Sequence, residues 1–132
     1  MSKRLLTMGL VLPLTAATLV ALAPVASASG GDGEVRNSGK CSGTATWKMK
    51  AKPDNGRLEV EFEVDSNRVG QTWAVTLKDN GVVIFSGNRV TQAPNGSFQV
   101  RRLTANRAGV DHFVGTARNA ASGQTCNGTV NI

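Results

Sequence analysis

Seven consecutive residues, Leu58-Glu59-Val60-Glu61-Phe62-Glu63-Val64, alternate apolar and acidic side chains without a break. An extended strand sends successive side chains to opposite faces, so Leu58, Val60, Phe62 and Val64 share one face and the three glutamates the other. A helix would scatter the same glutamates around its circumference. The segment therefore reads as a half-buried strand of an antiparallel sheet, and the rest of the chain must supply its partners.

The preceding stretch supplies the first partner. Cys41, Ala45, Trp47, Met49 and Ala51 share one parity, while Thr44, Thr46, Lys48 and Lys50 share the other. Lys52-Pro53-Asp54-Asn55-Gly56 is a turn: proline presets φ, and asparagine and glycine accept positive φ. Two registers are open. If Lys52 faces Arg57, Lys50 meets Glu59 and Lys48 meets Glu61. A two-residue Asn-Gly turn shifts every partner by two and keeps the faces. Both put aromatic and aliphatic side chains inside and Lys–Glu pairs outside.

The chain beyond repeats the two-residue rhythm. Gln71, Trp73, Val75 and Leu77 form the inner face of a third strand, and Asp79-Asn80-Gly81 turns the chain into a fourth, Val82 to Val90, whose parity is ambiguous. After Ala93-Pro94-Asn95-Gly96, Phe98 and Val100 point inward from a fifth strand. Leu103 to Gly109 reads as an irregular crossover. Phe113, Gly115 and Ala117 are inward on a sixth strand, and Cys126, Gly128, Val130 and Ile132 on a seventh. Seven short strands with turn signals at even spacing, and no helical period, predict an all-β, antiparallel, immunoglobulin-like sandwich; a small Greek-key barrel is the alternative. Trp73 on the third strand matches the buried tryptophan of immunoglobulin-like folds. The chain has no tyrosine, so it lacks the tyrosine corner of true immunoglobulin domains.

The first 28 residues stand apart. Lys3 and Arg4 precede a mostly apolar run, and Ala26-Ser27-Ala28 has the small-x-small ending of a signal-peptidase site. Residues 1–28 are read as a secretory signal peptide, 29–40 as a flexible Gly-rich leader with a short edge strand near Val35, and 41–132 as the sandwich domain. The expected location is extracellular, with no membrane span after cleavage. Export places the two cysteines in an oxidising compartment, where the one intrachain bridge they allow is Cys41–Cys126. Loss of Lys3 and Arg4 lowers the formal net charge from +6 to +4, a mild excess that is not a nucleic-acid footprint.

Taken together, several stretches carry a resemblance: the Ala-Ser-Ala signal ending, Gly56 to Asp65, Gly96-Ser97-Phe98-Gln99-Val100-Arg101-Arg102-Leu103, Ala108-Gly109-Val110-Asp111 and Ser122-Gly123-Gln124-Thr125-Cys126. The exported part resembles the uncharacterised small secreted β-sandwich proteins of actinobacteria such as Streptomyces. That resemblance implies a fold and a location and transfers no functional residue. Secreted actinobacterial protease inhibitors and enediyne-binding apoproteins have a similar size, but their two-disulfide pattern is not met.

No catalytic set emerges. Glu59, Glu61 and Glu63 lie roughly 6.5 to 7 Å apart along a strand, a spacing open to paired-carboxylate chemistry. With lysines opposite, they read instead as the solvated face of a hairpin, neutralised by Lys48 and Lys50. His112 is the only histidine, and its neighbour Asp111 points the other way. Asp65-Ser66-Asn67 starts like a calcium loop but lacks its central glycine and terminal glutamate. No cofactor or metal is expected. Arg89, Arg101, Arg102, Arg107 and Arg118 read first as scattered solubility charge; Arg101, Arg102 and Arg107 are the candidate partner-binding residues should they form a patch, and no aromatic interleaves them, which disfavours single-stranded nucleic acid. The expectation is a secreted, non-catalytic sandwich that binds a protein or a cell-wall polymer through its loops. Alternatives are a protease-inhibitor-like protein, with Asp65–Gly70 and Leu103–Gly109 as candidate loops, and a hydrolase using the surface carboxylates.

Overall fold

The computed structural model describes residues 33–132, together with Gly9. The rest of the expected signal peptide and the head of the leader lie outside the described residues. Eight strands follow one another: β1 (Val35–Lys40), β2 (Thr46–Asp54), β3 (Arg57–Asp65), β4 (Thr72–Asp79), β5 (Val82–Val90), β6 (Ser97–Ala105), β7 (His112–Asn119) and β8 (Thr125–Asn131). They form two four-stranded sheets, ordered β1-β2-β3-β6 and β5-β4-β7-β8, in which every neighbouring pair is antiparallel. Among the described residues no helix is long and apolar enough to cross a membrane.

The strand count corrects the expected seven. The added strand is the edge strand expected near Val35: residues 35–40 were placed in the flexible leader and carry one apolar side chain, yet they pair with β2 from Val35↔Ala51 to Lys40↔Thr46. An edge strand needs ladder bonds on one side only, and Gly39 marks a close approach rather than slack: an added Cβ would sit 2.8 Å from the Trp47 indole. β6 also runs further than expected. Leu103, Thr104 and Ala105 pair with Glu59, Leu58 and Arg57, so the crossover begins at Asn106.

The β2–β3 hairpin takes the two-residue turn. Asn55 and Gly56 have φ of 47° and 78°, and Asp54 pairs with Arg57. Positive φ at both central residues matches the right-handed twist of the flanking strands. Trp47 then faces Val64, Met49 faces Phe62, and Lys52, Lys50 and Lys48 face Glu59, Glu61 and Glu63. Asn80-Gly81 closes β4–β5 in the same way, at 47° and 84°. A register shift between Leu77 and Lys78 settles the ambiguous fourth strand: Phe85 turns inward, while Val82 and Val83 stay exposed.

The core lies between the sheets. Trp47, Met49, Leu58, Val60, Phe62 and Val64 meet Trp73, Val75, Leu77, Phe113, Ala117 and Val130. Trp73 and Phe98 are tilted neighbours, with centroids 6.3 Å apart. Gly115 and Gly128, paired across β7–β8, leave a hollow for the Phe62 ring; a Cβ on Gly115 would come within 2.7 Å of it. Cys41, just after β1, and Cys126, in β8, are bonded with Cα atoms 4.3 Å apart, which ties the first sheet to the second. Strand direction sorts the connections into two ends. The β1–β2, β3–β4, β5–β6 and β7–β8 loops share one end; the β2–β3, β4–β5 and β6–β7 connections share the other.

Candidate functional site

β3 is an inner strand of its sheet, flanked by β2 and β6, so its outward glutamates are covered from both sides. Register builds two rows across all four strands: Arg36–Lys50–Glu61–Arg101 and Ser38–Lys48–Glu63–Gln99. Glu61, in the middle of the first, is only 3 % exposed. Lys50 Nζ lies 2.5 Å from its Oε2; Arg101 donates from Nη2 at 2.9 Å and Nε at 3.1 Å to its Oε1. Arg101 Nε also lies 3.5 Å from Glu59 Oε1. The expected solvated acidic face is therefore corrected at its centre. Long basic stems lie over the strand and bury the carboxylate beneath their charges. Lys48, expected to share in the neutralisation, forms no ion pair among the described residues, and Arg36 pairs with Glu34.

Both rows except Arg101, with Asn37 and Met49, line an open groove of about 540 Å³. The outward face around it carries seven basic side chains, Arg36, Lys40, Lys48, Lys50, Lys52, Arg57 and Arg101, against five acidic ones, Asp54, Glu59, Glu61, Glu63 and Asp65. Both oxygens of Glu61 are engaged by cations. It acts as an internal counter-ion that holds Lys50 and Arg101 in place, and the positive excess is left to the rim.

The three candidate partner-binding arginines do not gather into one patch. Arg101 faces out of the first sheet. Arg102, its neighbour, has the opposite parity and stacks on Phe85 at 4.5 Å from the centroid; Arg89 lies at 4.5 Å from the same ring. Adjacent strand residues cannot share a face without a bulge. Arg107 lies past the end of β6, where its Nε approaches Asp79 Oδ2 at 3.5 Å.

That contact marks a cluster which the sequence reading missed. Asp79, closing β4, and Asp111, just before β7, are both fully buried. Asp111 accepts the Arg107 backbone N–H at 3.2 Å and, with the Asn106 amide nitrogen turned toward it, a second donor at 3.1 Å. Burial holds the Asp79 carboxyl above its ordinary range; the hydrogen bond and charge of Asp111 push the same way, and Arg107 opposes them. No signal along the chain joins residues 79 and 111, because their proximity follows from β4 pairing with β7. The cluster pins the β6–β7 loop under the β4–β5 hairpin and has no third acidic, His or Cys ligand among the described residues. His112 is exposed and contacts Asn131, away from Asp111.

The loop 65–70, a candidate inhibitor loop, is tied down through its own carbonyl. Arg68 O accepts from Thr91 Oγ1 at 2.5 Å and from Ser66 Oγ at 3.2 Å, and Asn67 has φ 57°.

Comparison with known proteins finds no matching family, no matching curated protein and no matching solved structure.

Proposed function

We propose that the chain is a secreted, non-catalytic β-sandwich that binds an anionic, hydrophilic cell-surface polymer along the groove of the first sheet. The observation that carries this reading is the preformed pair of rows across β1-β2-β3-β6. Lys50 and Arg101 are locked by a buried counter-ion, and the rim cations Lys48 and Arg36 project beside them. A groove that crosses four strands suits an extended ligand, and its lack of aromatic lining favours charge and hydrogen bonding over ring stacking. This moves the binding surface from the loops to a sheet face.

Immunoglobulin-like connectivity is part of the proposal. Its support is strand order: β8-β7-β4-β5 follows the G-F-C-C′ order and β2-β3-β6 the A-B-E order, with β1 as an added edge strand. The disulfide departs from the B–F bridge of antibody domains by joining the end of β1 to β8. Secretion rests on residues 1–28 and agrees with that disulfide.

The test is a binding titration with polygalacturonate, polyglutamate and neutral dextran at several salt concentrations. Saturable binding to the polyanions, weakened by salt, and none to dextran is the expected result. Arg36→Glu with Lys48→Glu lowers affinity at least about tenfold, or about 1.4 kcal/mol. Absence of polyanion binding, or binding indifferent to that double reversal, overturns the reading.

A further inference from the structure

The four-loop end of the sandwich holds a second cleft, of about 430 Å³, between the β1–β2, β3–β4 and β7–β8 loops. Its lining side chains are polar throughout. Ser42, Thr44, Ser66 and Ser122 bring hydroxyls, Gln71 and Gln124 carboxamides, and Arg68 the single charge; no carboxylate and no apolar side chain lines it.

Two of its walls are fixed to each other before any ligand arrives. Ser42 N donates to Thr125 O at 2.8 Å, and Thr125 N donates to Ser42 Oγ at 2.9 Å. Ala45 N donates to Gln124 Oε1 at 2.7 Å. Gly43 lies so close to Gln124 that an added Cβ would sit 2.7 Å from its side chain. The Cys41–Cys126 bond joins the same two loops one residue from Ser42 and two from Gln124. The third wall is held from below: Arg68 O accepts from Thr91 Oγ1, and Ser66 N donates to Gly96 O at 3.0 Å.

Two groups in this rigid cleft are left without partners. Gln71 Oε1 is buried with no donor among the described residues. A buried acceptor left unpaired forfeits its hydration without replacement, so such atoms mark places where a ligand or water completes the bonding. The Arg68 guanidinium forms no ion pair among the described residues. The Ser42 and Ser122 oxygens already accept from Thr125 N and Gln124 N, and their O–H groups donate to nothing among the described residues. An acceptor wanting an O–H, a guanidinium wanting an anion and these two O–H donors together specify a polyol carrying one anionic group. The volume lies within the range of small-ligand sites.

We infer that the loop-end cleft is a binding site for a small anionic polyol, a sugar acid or a sugar phosphate, distinct from the groove on the first sheet. Arg68 takes the anionic group and Gln71 accepts a ligand hydroxyl. The two sites share no lining residue, so they succeed or fail separately.

Amide NMR titrations of the full chain with glucuronate, glucose 6-phosphate, glucose and inorganic phosphate test this. Glucuronate or glucose 6-phosphate is expected to shift the amides of residues 42–44, 68–71 and 122–124 saturably, at least about tenfold tighter than glucose or phosphate, a difference of about 1.4 kcal/mol. Arg68→Ala removes the preference over glucose. Gln71→Met weakens binding without lowering the stability of the unliganded chain, which a merely structural role would not do. Arg36→Glu with Lys48→Glu leaves these shifts unchanged. Shifts confined to the groove, equal binding of inorganic phosphate and glucose 6-phosphate, indifference to Arg68→Ala, or no saturable shift with any probe would each overturn the assignment.

Discussion

The two outer faces of this sandwich are built on the same pleat and carry opposite chemistry. On β1-β2-β3-β6, the central row is Arg36–Lys50–Glu61–Arg101. On β5-β4-β7-β8, the corresponding row is Ser86–Thr76–Thr116–Asn127. Thr76 and Thr116 remain half-buried, because hydroxyl side chains are too short to close over the strand beside them, whereas the stems of Lys50 and Arg101 sink Glu61 almost completely. Side-chain length, not strand geometry, thus decides whether an outward position becomes buried. The first face has a register that its charges enforce; the second is held by its ladder and its inner side chains alone.

The strongest perturbation severs the link between the two sheets. Cys41→Ala with Cys126→Ala opens a bridge of sequence separation 85. It should cost about 4.6 kcal/mol in a urea or guanidinium titration by the chain-entropy relation. If the loss were near zero, the contacts between β1, β2 and β8 would be holding the sheets together unaided.

Next comes the contrast itself. Lys50→Ala with Arg101→Ala strands Glu61 and should destabilise by about 2 kcal/mol, less than a fully sealed charge would lose, because water reaches the carboxylate once the stems are gone. Thr76→Ala with Thr116→Ala on the other face should cost less than about 1 kcal/mol. Equal losses would break the comparison.

A third prediction concerns the one acid in the strands of the second sheet, Asp79, which is turned inward. Its carboxyl is held above the ordinary 3.8, so between that value and its raised one the folded chain binds the proton better than the unfolded chain. Its contribution to stability is fully present below 3.8 and is lost as pH rises through the raised value. Asp79→Asn should flatten that part of the stability–pH curve; an unchanged slope would remove Asp79 as its source. The smallest effect on stability belongs to the groove rim. Lys48→Glu should change it by no more than about 0.5 kcal/mol, even where polyanion binding falls, as parallel unfolding and binding titrations would show.

What could be read from the residues alone follows the range of the interactions concerned. The alternation in Leu58–Val64, the Asn55-Gly56 and Asn80-Gly81 turns and the inward set Trp73, Val75 and Leu77 are local patterns, and the structure keeps all of them. The Cys41–Cys126 pairing was legible by elimination, since the chain has two cysteines. Glu61 was misread because its burial depends on β6, which arrives some forty residues later to cover the far side of β3. β1 was legible only as a short edge strand near Val35, because the rest of it lacks apolar residues, and the parity of β5 was hidden by a bulge that exists only in its pairing with β4. The Asp79–Asp111 cluster and the loop-end cleft are both assembled from segments with no periodic relation to one another. Arg101, Arg102 and Arg107 looked like one group only because they are near in sequence.

The hollow that Gly115 and Gly128 leave for Phe62 has a mechanical consequence. Flat layers that meet through interchangeable methyl groups can creep past each other by small repacking steps. A single ring seated where its neighbours have no β-carbon behaves as a dowel: it lets the layers breathe apart but blocks sliding along either strand axis. The alignment of the charged face over the hydroxyl face is thereby indexed by the Phe62 peg, with Trp47 and Met49 closing in beside it at Gly128, and any larger side chain in that socket would have to prise the layers open.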